Sequence, residues 1–206
     1  MWIARPDGPP RGAVVVCHGG GGRAPHERER IDRLAGMGFV AAAPDLYESP
    51  PSIERIKALV AEPTELRRRV LAAVDAMREH GRVAVVGHCF GGTASLEAAR
   101  SGADLACAVA FHGGLAAPAP AQPGSIRARV LACCGAADPF CPRDQRSAFE
   151  DEMTKAGASW QLVVHGGAMH GFTVKGISRP GCAYDELADR ASWAAMTALL
   201  DETIPA

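Results

Sequence analysis

The sequence predicts an α/β fold in which a mostly parallel β-sheet carries helices on both faces. Short apolar runs alternate with amphipathic stretches at intervals that suit strand–helix–strand crossovers. The apolar runs are continuous rather than alternating, which indicates strands that are covered on both faces. The length of 206 residues suits one unit with its own core, so we expect a single domain over residues 1–206.

The first half of the chain shows this alternation most clearly. We predict strands over residues 13–17, 39–43 and 83–86, and helices over residues 26–37, 52–60 and 64–79. Pro44 ends the second strand because proline cannot continue a ladder of backbone hydrogen bonds. Ser52 is a natural N-cap for the second helix, and Gly81 follows the end of the third.

The second half continues the pattern with three more strands. We predict strands over residues 105–111, 130–134 and 161–164, and helices over residues 93–100, 145–155 and 184–200. The Pro- and Ala-rich stretch over residues 116–124 interrupts the pattern. It is interpreted as a surface loop because its prolines break both helices and strands.

Composition and charge narrow the class of protein. The net charge is −1, which argues against a partner such as a nucleic acid or an anionic membrane surface. No apolar run approaches the roughly 18 residues of a membrane span, and residues 1–7 lack the apolar stretch of a signal peptide. We therefore expect a cytoplasmic protein that does not bind membranes. Its seven cysteines are an odd number, which favours free thiols over a disulfide framework.

The most informative motif is Gly87-His88-Cys89-Phe90-Gly91, between a predicted strand and a predicted helix. It has the G-x-S-x-G form of a nucleophile elbow with Cys in place of Ser. The glycines let strand and helix approach each other, the helix N-terminus favours a thiolate, and the Phe90 N–H would stabilise an oxyanion. The alternative is a tight turn with an incidental buried cysteine.

A cysteine nucleophile needs a base and an acid that orients the base. His170 follows the last predicted strand and is the candidate base, with His165 as its rival. Asp138 follows the strand before and is the candidate acid, although it could simply stabilise an Asp-Pro turn. Asp144 is weaker because it resembles a helix cap. The remaining histidines are interpreted as residues without a catalytic role: His18, His26, His80, His88 and His112.

The loop after the first strand is the candidate source of a second oxyanion donor. His18 is followed there by four glycines, close to the HGGG pattern of esterases. Gly19 and Gly20, with Gly21 as a further candidate, could bring bare backbone N–H groups to a reacting carbonyl. A phosphate-binding loop is disfavoured because no G-K-[ST] ending and no G-x-G-x-x-G with an acidic partner follows.

Taken together, these motifs resemble the dienelactone hydrolase family of the α/β-hydrolase superfamily, and the resemblance covers nearly the whole chain from Ala13 onward. The residues that carry it are Pro44-Asp45-Leu46-Tyr47, Gly87 to Gly92, Phe111-His112-Gly113-Gly114, Gly135 to Pro142 and His170-Gly171-Phe172. The resemblance implies an α/β-hydrolase fold and a Cys89–His170–Asp138 triad. It also implies hydrolysis of a small ester or lactone, with neither cofactor nor metal.

Three departures from the family pattern affect the expected substrate and fold. Family members that cleave dienelactone carry a Glu near the resting cysteine, where this chain has Gly19 or its neighbours. They also use arginines to bind the substrate carboxylate, and here Lys175 and Arg55 become the candidate residues for an acidic substrate. The chain is also short at its N-terminus, where the family usually has an extra antiparallel strand.

Two other function classes stay open. The absent Glu is compatible with a catalytically degenerate fold that acts as a binding module. A class I glutamine-amidotransferase-like enzyme also has a G-x-C-x-G motif, but it needs His-x-Glu, whereas His170 is followed by Gly171 and Phe172. In either enzyme class the partner would be a small molecule, and we expect a monomer or a homodimer.

Overall fold

The computed structural model describes residues 1–47 and 50–205. Strands are β1 (Trp2–Ala4), β2 (Gly12–Cys17), β3 (Phe39–Ala43), β4 (Val83–His88), β5 (Cys107–Phe111), β6 (Arg129–Gly135), β7 (Trp160–His165), β8 (Ser178–Arg179) and β9 (Cys182–Ala183). The first seven form one sheet in the order β1-β3-β2-β4-β5-β6-β7, and β8 pairs with β9 in a separate ribbon. Within the large sheet, β1 pairs antiparallel with β3 and the other neighbours pair in parallel.

Helices cover both faces of this sheet, which confirms the predicted α/β-hydrolase fold class. They are α1 (Pro25–Gly36), α2 (Ile53–Ala61), α3 (Pro63–Met77), α4 (Phe90–Arg100), α5 (Arg143–Lys155) and α6 (Glu186–Thr203), with a short 3-10 turn at Arg78–His80. Helices α1 and α6 pack on one face, and α2 to α5 pack on the other. No helix in residues 1–47 and 50–205 is both long enough and apolar enough to cross a membrane.

The continuous apolar strands follow from this two-sided packing. In β2, Ala13 and Val15 face the core beneath α3 and α4, whereas Val14 and Val16 face the core beneath α1 and α6. All four side chains are fully buried. A strand with both faces covered has no position where a polar side chain reaches water, so its sequence shows no alternation.

The three shortest strands, β1, β8 and β9, were not predicted from the sequence. The N-terminus does carry an antiparallel strand, since Trp2 of β1 pairs with Ala43 of β3. A strand of three residues has too little sequence for a periodic pattern, so only its pairing with β3 reveals it. Strands β8 and β9 escaped prediction for the same reason. The longer elements agree with the prediction within a few residues, and the Ser52 hydroxyl accepts the Arg55 N–H as an N-cap should.

The strand order favours a ligand-binding crevice at the carboxyl ends of the central strands. Strand β2 lies between β3 and β4, so the chain crosses over to opposite sides of β2. The carboxyl ends of β2 and β4 lie side by side, with Cys17 paired to Gly87. Crevices in open α/β sheets form at such a switch point. The glycine loop that starts at Gly19 and the turn at Cys89 both begin there.

Candidate active site

Cys89 occupies a strained turn between β4 and α4. Its φ of 54° and ψ of −119° lie in a region that side chains other than glycine rarely adopt. The turn depends on its two glycines. A Cβ on Gly87 would lie 1.9 Å from the Gly91 carbonyl oxygen, and a Cβ on Gly91 would lie 2.1 Å from the Cys17 carbonyl oxygen. The sharp turn that the motif predicts is therefore present, and it leaves the Cys89 side chain partly exposed.

The structure brings Cys89, His170 and Asp138 into one hydrogen-bonded chain. The Nδ1–H of His170 is donated to Asp138 Oδ2 over 2.9 Å. The carboxylate is buried, and its second oxygen accepts the Phe140 N–H over 2.8 Å. Since Nδ1 is engaged, the Nε2 side of the ring faces the Cys89 thiol, with which His170 forms a hydrogen bond. Residues far apart in sequence thus meet at the carboxyl edge of the sheet.

The rival candidates, His165 and Asp144, take no part in the hydrogen bonds that link Cys89, His170 and Asp138. His165 ends β7, its ring packs against Phe172, and its Nε2 has no hydrogen-bond partner within residues 1–47 and 50–205. Asp144 opens α5 and accepts the N–H of Gln145. Asp144 therefore accepts a hydrogen bond in the first turn of α5, as its position in the sequence indicated.

Cys89 and His170 shift each other's pKa. Burial alone would raise the pKa of the Cys89 thiol, but the hydrogen bond and charge of His170, with the N–H groups of Gly20 and Phe90, hold that pKa below its usual value. Burial alone would lower the pKa of His170, yet the hydrogen bonds to Asp138 and Cys89 raise it to about 10. Both shifts favour the charged pair, a thiolate on Cys89 and an imidazolium on His170.

Alkylation of Cys89 should reveal the lowered pKa directly. We expect its rate with iodoacetamide, followed by mass spectrometry from pH 5 to 10, to reach half its maximum below pH 9. Thiolate is the reactive form, so the rate rises through the thiol pKa and then stays level. In His170→Ala the midpoint should move to higher pH because the stabilising cation is gone.

Buried cysteines supply the internal control for this measurement. Burial raises the pKa of Cys17 and Cys133 to about 12 and that of Cys107 to about 11, so these thiols should stay unmodified in the folded protein. A Cys89 midpoint at or above pH 9, or the same midpoint in His170→Ala, would contradict the thiolate–imidazolium pair.

Two backbone N–H groups point at the Cys89 sulfur, from Gly20 and Phe90. Gly19, the other candidate donor, is engaged elsewhere, because its N–H is donated to Glu27 Oε1 over 3.2 Å. Of the three candidate glycines, Gly20 is the one whose N–H faces the sulfur, where it could serve as an oxyanion donor. Sequence alone could not separate two adjacent glycines, because the direction of each N–H depends on the path of the loop.

Glu27, which was not among the candidate residues, holds the glycine loop in place. The side chain is almost fully buried in the first turn of α1, where its oxygens accept the N–H groups of Gly19 and Ala24. A signal was present in the sequence, because Glu two residues after Pro25 is typical of the first turn of a helix. A carboxylate thus does reach the neighbourhood of Cys89, but from α1 rather than from the loop.

His112 supports the turn from behind. The Cys89 N–H lies 3.0 Å from the Phe111 carbonyl and 3.2 Å from His112 Nδ1, while His112 Nε2 lies 2.8 Å from Thr173 Oγ1. Burial and the charge of His170 hold the pKa of His112 well below its usual value. His112 thus lies in the loop after β5 as a buried, hydrogen-bonded residue.

A cavity of about 180 Å³ opens beside Cys89. Its walls come mainly from the glycine loop, the start of α1 and the segment after His170, and they include Gly20, His26, Glu27, His88, Val174, Ile177 and Arg179. Within the described ranges, no three side chains of His, Cys, Asp or Glu converge in a way that would hold a metal ion.

The two candidate substrate-binding cations do not line this cavity. Arg55 donates to the carbonyl of Tyr47, and Lys175 pairs with Glu29 at the surface. Arg179 lines it instead, from the short β8–β9 ribbon. No pattern in the sequence selects Arg179, because none shows that this ribbon lies beside the site.

Comparisons with known proteins agree with the fold and the motifs. The sequence profile of the dienelactone hydrolase family matches residues 1–204. Carboxymethylenebutenolidase 1 of Cupriavidus pinatubonensis is 31% identical over 175 residues, which cover 74% of this chain and 70% of that protein. The dienelactone hydrolase-like promiscuous phosphotriesterase P91 from metagenomic libraries is 35% identical with a TM-score of 0.85, over 96% of this chain and 88% of that chain. Esterase 2 of Thermogutta terrifontis has a TM-score of 0.70, over 98% of this chain and 88% of that chain, at 21% identity, a likeness of fold alone.

Proposed function

Because the chain belongs to the dienelactone hydrolase family, we propose that it hydrolyses small esters or lactones through Cys89, His170 and Asp138. The observation that carries this proposal is the hydrogen-bonded chain from the Cys89 thiol through His170 to the buried Asp138 carboxylate. The names of two relatives, a carboxymethylenebutenolidase and a phosphotriesterase, also describe hydrolytic enzymes.

The first stage forms an acyl-enzyme. The Cys89 thiolate attacks the carbonyl carbon, and the electron pair of the C=O bond moves to oxygen. When the tetrahedral species collapses, the bond to the leaving oxygen breaks, and that oxygen takes the proton from His170 Nε2. Asp138 holds the ring in the orientation that this transfer needs.

The second stage releases the acid. Water attacks the thioester while the now neutral His170 takes its proton, and the carbon–sulfur bond breaks to restore the thiolate. Because the Gly20 and Phe90 N–H groups already face the sulfur, they are placed to stabilise the oxyanion of both stages. A lactone differs only in that the leaving alcohol stays attached to the acyl group, so that water releases a single hydroxy acid.

Trapping the acyl-enzyme tests this mechanism. The protein is mixed with an aryl ester such as 4-nitrophenyl butyrate, quenched in acid within milliseconds to seconds, and analysed by intact mass and peptide mapping. We expect one butyryl group on Cys89 that forms and decays at rates consistent with turnover. Steady turnover with no acyl group on Cys89 would overturn the proposal. Stoichiometric acylation without turnover would instead favour a degenerate fold that acts as a binding module.

A glutamine-amidotransferase-like activity has little support. The acidic partner of His170 is Asp138, from the loop after β6, whereas the position two residues after His170 is the buried Phe172. An assay for ammonia release from glutamine is the direct check of this alternative.

Glu27 provides a prediction about the glycine loop. We expect Glu27→Ala to lower kcat/KM for aryl esters by roughly 10- to 100-fold, because a displacement of about 1 Å in a group that contacts the reacting atoms has effects of this size. The loss should fall mainly on kcat, since Gly20 acts on the oxyanion rather than on the bound ester.

Glu29→Ala is the matched control for this prediction. Glu29 lies on the same helix, but its carboxylate pairs with the exposed Lys175. We expect its kinetics to match the wild type. Equal losses in both variants would show that the effect belongs to α1 as a whole and not to the contact between Glu27 and the loop.

A further inference from the structure

The peptide group between Gly19 and Gly20 carries the N–H that faces the Cys89 sulfur. A peptide group is planar and trans, so its C=O and its N–H point in opposite directions and cannot turn independently. The Gly19 carbonyl accepts the Gly22 N–H over 3.1 Å and lies 2.8 Å from His18 Nδ1. Groups that hold this carbonyl therefore also aim the Gly20 N–H.

His18 is fixed as a donor to this carbonyl. Its ring is fully buried, and its Nε2 accepts the Leu46 N–H over 2.9 Å. Because Nε2 accepts, the single ring proton of a neutral imidazole lies on Nδ1, which donates to the Gly19 carbonyl. Burial is the largest cause of the lowered pKa of His18, so the neutral ring predominates at neutral pH. The side chain thus ties the glycine loop to the segment after β3.

Tyr47 holds the next peptide group of the loop. Its side chain is almost fully buried, and its hydroxyl donates to the Gly20 carbonyl over 3.1 Å. The ring stacks on Phe90 with centroids 5.2 Å apart and an interplanar angle of 21°, and it lies 4.7 Å from the His18 ring. Tyr47 therefore contacts both residues whose N–H groups face the Cys89 sulfur.

These contacts matter because residues 19–22 are all glycine. Glycine has the greatest backbone freedom, so an unsupported loop of four glycines would point its N–H groups in many directions. Glu27 takes the Gly19 N–H, as described above. The two carbonyls that follow are held by His18 and Tyr47. An oxyanion donor is most effective when it is already in place before the reaction, so the same contacts that order the loop also serve catalysis.

We propose that His18 and Tyr47 are positioning residues for the hydrolysis, since they hold the peptide groups on either side of Gly20 and so aim its N–H at the developing oxyanion. The inference rests on the proposed function and deepens it, because both side chains act through the backbone and not on the ester. His18 has the more direct effect, since the carbonyl it holds and the Gly20 N–H belong to one peptide group.

The test begins with steady-state hydrolysis of 4-nitrophenyl butyrate by the wild type, Tyr47→Phe and His18→Phe. Removing an oxyanion donor costs roughly 100- to 1,000-fold in kcat, and a displaced donor loses part of that effect. We expect kcat to fall about tenfold in Tyr47→Phe and by roughly 10- to 100-fold in His18→Phe. KM should change little, because both stages of the reaction pass through an oxyanion and slow together.

Alkylation of Cys89 by iodoacetamide separates this effect from damage to the nucleophile. The thiolate forms a bond to a saturated carbon and iodide leaves with its electron pair, so no oxyanion forms. The level rate at high pH should therefore not fall in the variants, since a thiolate of higher pKa is the better nucleophile. The midpoint should move to higher pH, because the Gly20 N–H helps to lower the pKa of the Cys89 thiol. A merely structural effect would lower the melting temperature without moving this midpoint.

His18→Asn distinguishes the two hydrogen bonds of His18. The asparagine amide places an N–H donor close to the position of Nδ1 and has no atom at the position of Nε2, so the Leu46 N–H loses its acceptor. We expect this variant to be less stable than the wild type but to recover most of the kcat that His18→Phe loses. Equal losses in both variants would overturn the role of the contact with the Gly19 carbonyl.

Tyr184→Phe is the matched control for Tyr47→Phe, since the chain has two tyrosines. Its hydroxyl also takes part in a hydrogen bond, over 3.3 Å to Asp189 on α6. Removing that hydroxyl should leave kcat and the alkylation midpoint at their wild-type values.

Wild-type kcat in both Tyr47→Phe and His18→Phe would overturn the inference, and so would a loss of kcat with an unchanged midpoint. If His18→Phe does not fold, Tyr47→Phe decides, because it removes one oxygen atom and keeps the ring that packs on Phe90. A wild type that hydrolyses no aryl ester would refute the proposed function instead. The alkylation midpoints would then still show whether the two side chains aim the Gly20 N–H.

Discussion

Replacing Cys89 with alanine should lower kcat/KM for short aryl esters by at least about 10⁴-fold. The thiolate supplies the attacking electron pair, and no other nucleophilic side chain shares the hydrogen bond to His170 and the N–H groups of Gly20 and Phe90 among the residues described. In enzymes of this kind the remaining catalysis comes from the oxyanion donors and from binding, which leaves a small residual rate. The measurement is steady-state turnover of 4-nitrophenyl acetate and butyrate and of a dienelactone.

The control for this variant is Cys107→Ala. Cys107 is buried in β5 and faces the core, so its loss should affect stability but not turnover. Far-UV circular dichroism and thermal unfolding check that both variants fold. Equal rates in the wild type and in Cys89→Ala, or no rate in either, would contradict the assignment of Cys89 and favour the binding-module alternative.

The compounds in this assay also report on substrate class. A preference for the dienelactone would indicate that carboxylate recognition survives, and Arg179 is then the residue to test because it lines the cavity. A preference for uncharged esters would agree with the neutral lining of His26 and His88.

The second large effect concerns stability rather than chemistry. We expect Gly91→Ala to lower the free energy of unfolding by about 3 kcal/mol or more, since a buried methyl group has no free space at this position. The added Cβ would lie 2.1 Å from the Cys17 carbonyl oxygen and 2.7 Å from that of His18. These neighbours are backbone atoms at the end of β2, so they cannot move aside as the end of a flexible side chain can.

Urea denaturation monitored by circular dichroism measures this change, and Gly36→Ala is its control. Gly36 ends α1, a Cβ there would meet no atom within 4 Å, and its φ is not positive. We expect that variant to be unchanged or slightly more stable, because alanine restricts the unfolded chain. If Gly91→Ala unfolds at the wild-type urea concentration, the close contact between α4 and β2 does not constrain the turn.

The elements that a long local pattern defines could be predicted from the sequence. Each continuous apolar run became a parallel strand, because a strand covered on both faces has no position for a polar side chain. The strand–turn–helix context of Cys89 also followed from local residues, since Gly87 and Gly91 are needed wherever strand and helix pack this closely. Asp138 and His170 were found because each follows a strand, and parallel strands end at the same edge.

The tertiary structure decided which groups face one another. Whether Gly19 or Gly20 turns its N–H toward Cys89 depends on Glu27, which comes from a different element and takes the N–H of Gly19. Likewise, one strand, two α-helices and a 3-10 turn separate His26 from His88 in the chain, yet their rings touch near Cys89.

The sequence by itself thus determined the fold class, the turn that carries Cys89 and the order of the three candidate catalytic residues. Those features depend on backbone sterics and burial, which act over a few neighbouring residues. Packing alone decided three other features: the pairing of the edge strand β1 with β3, the contact of Glu27 with the glycine loop, and the polar lining of the cavity. Contacts between distant side chains depend on the relative placement of whole elements, and no local pattern encodes that placement.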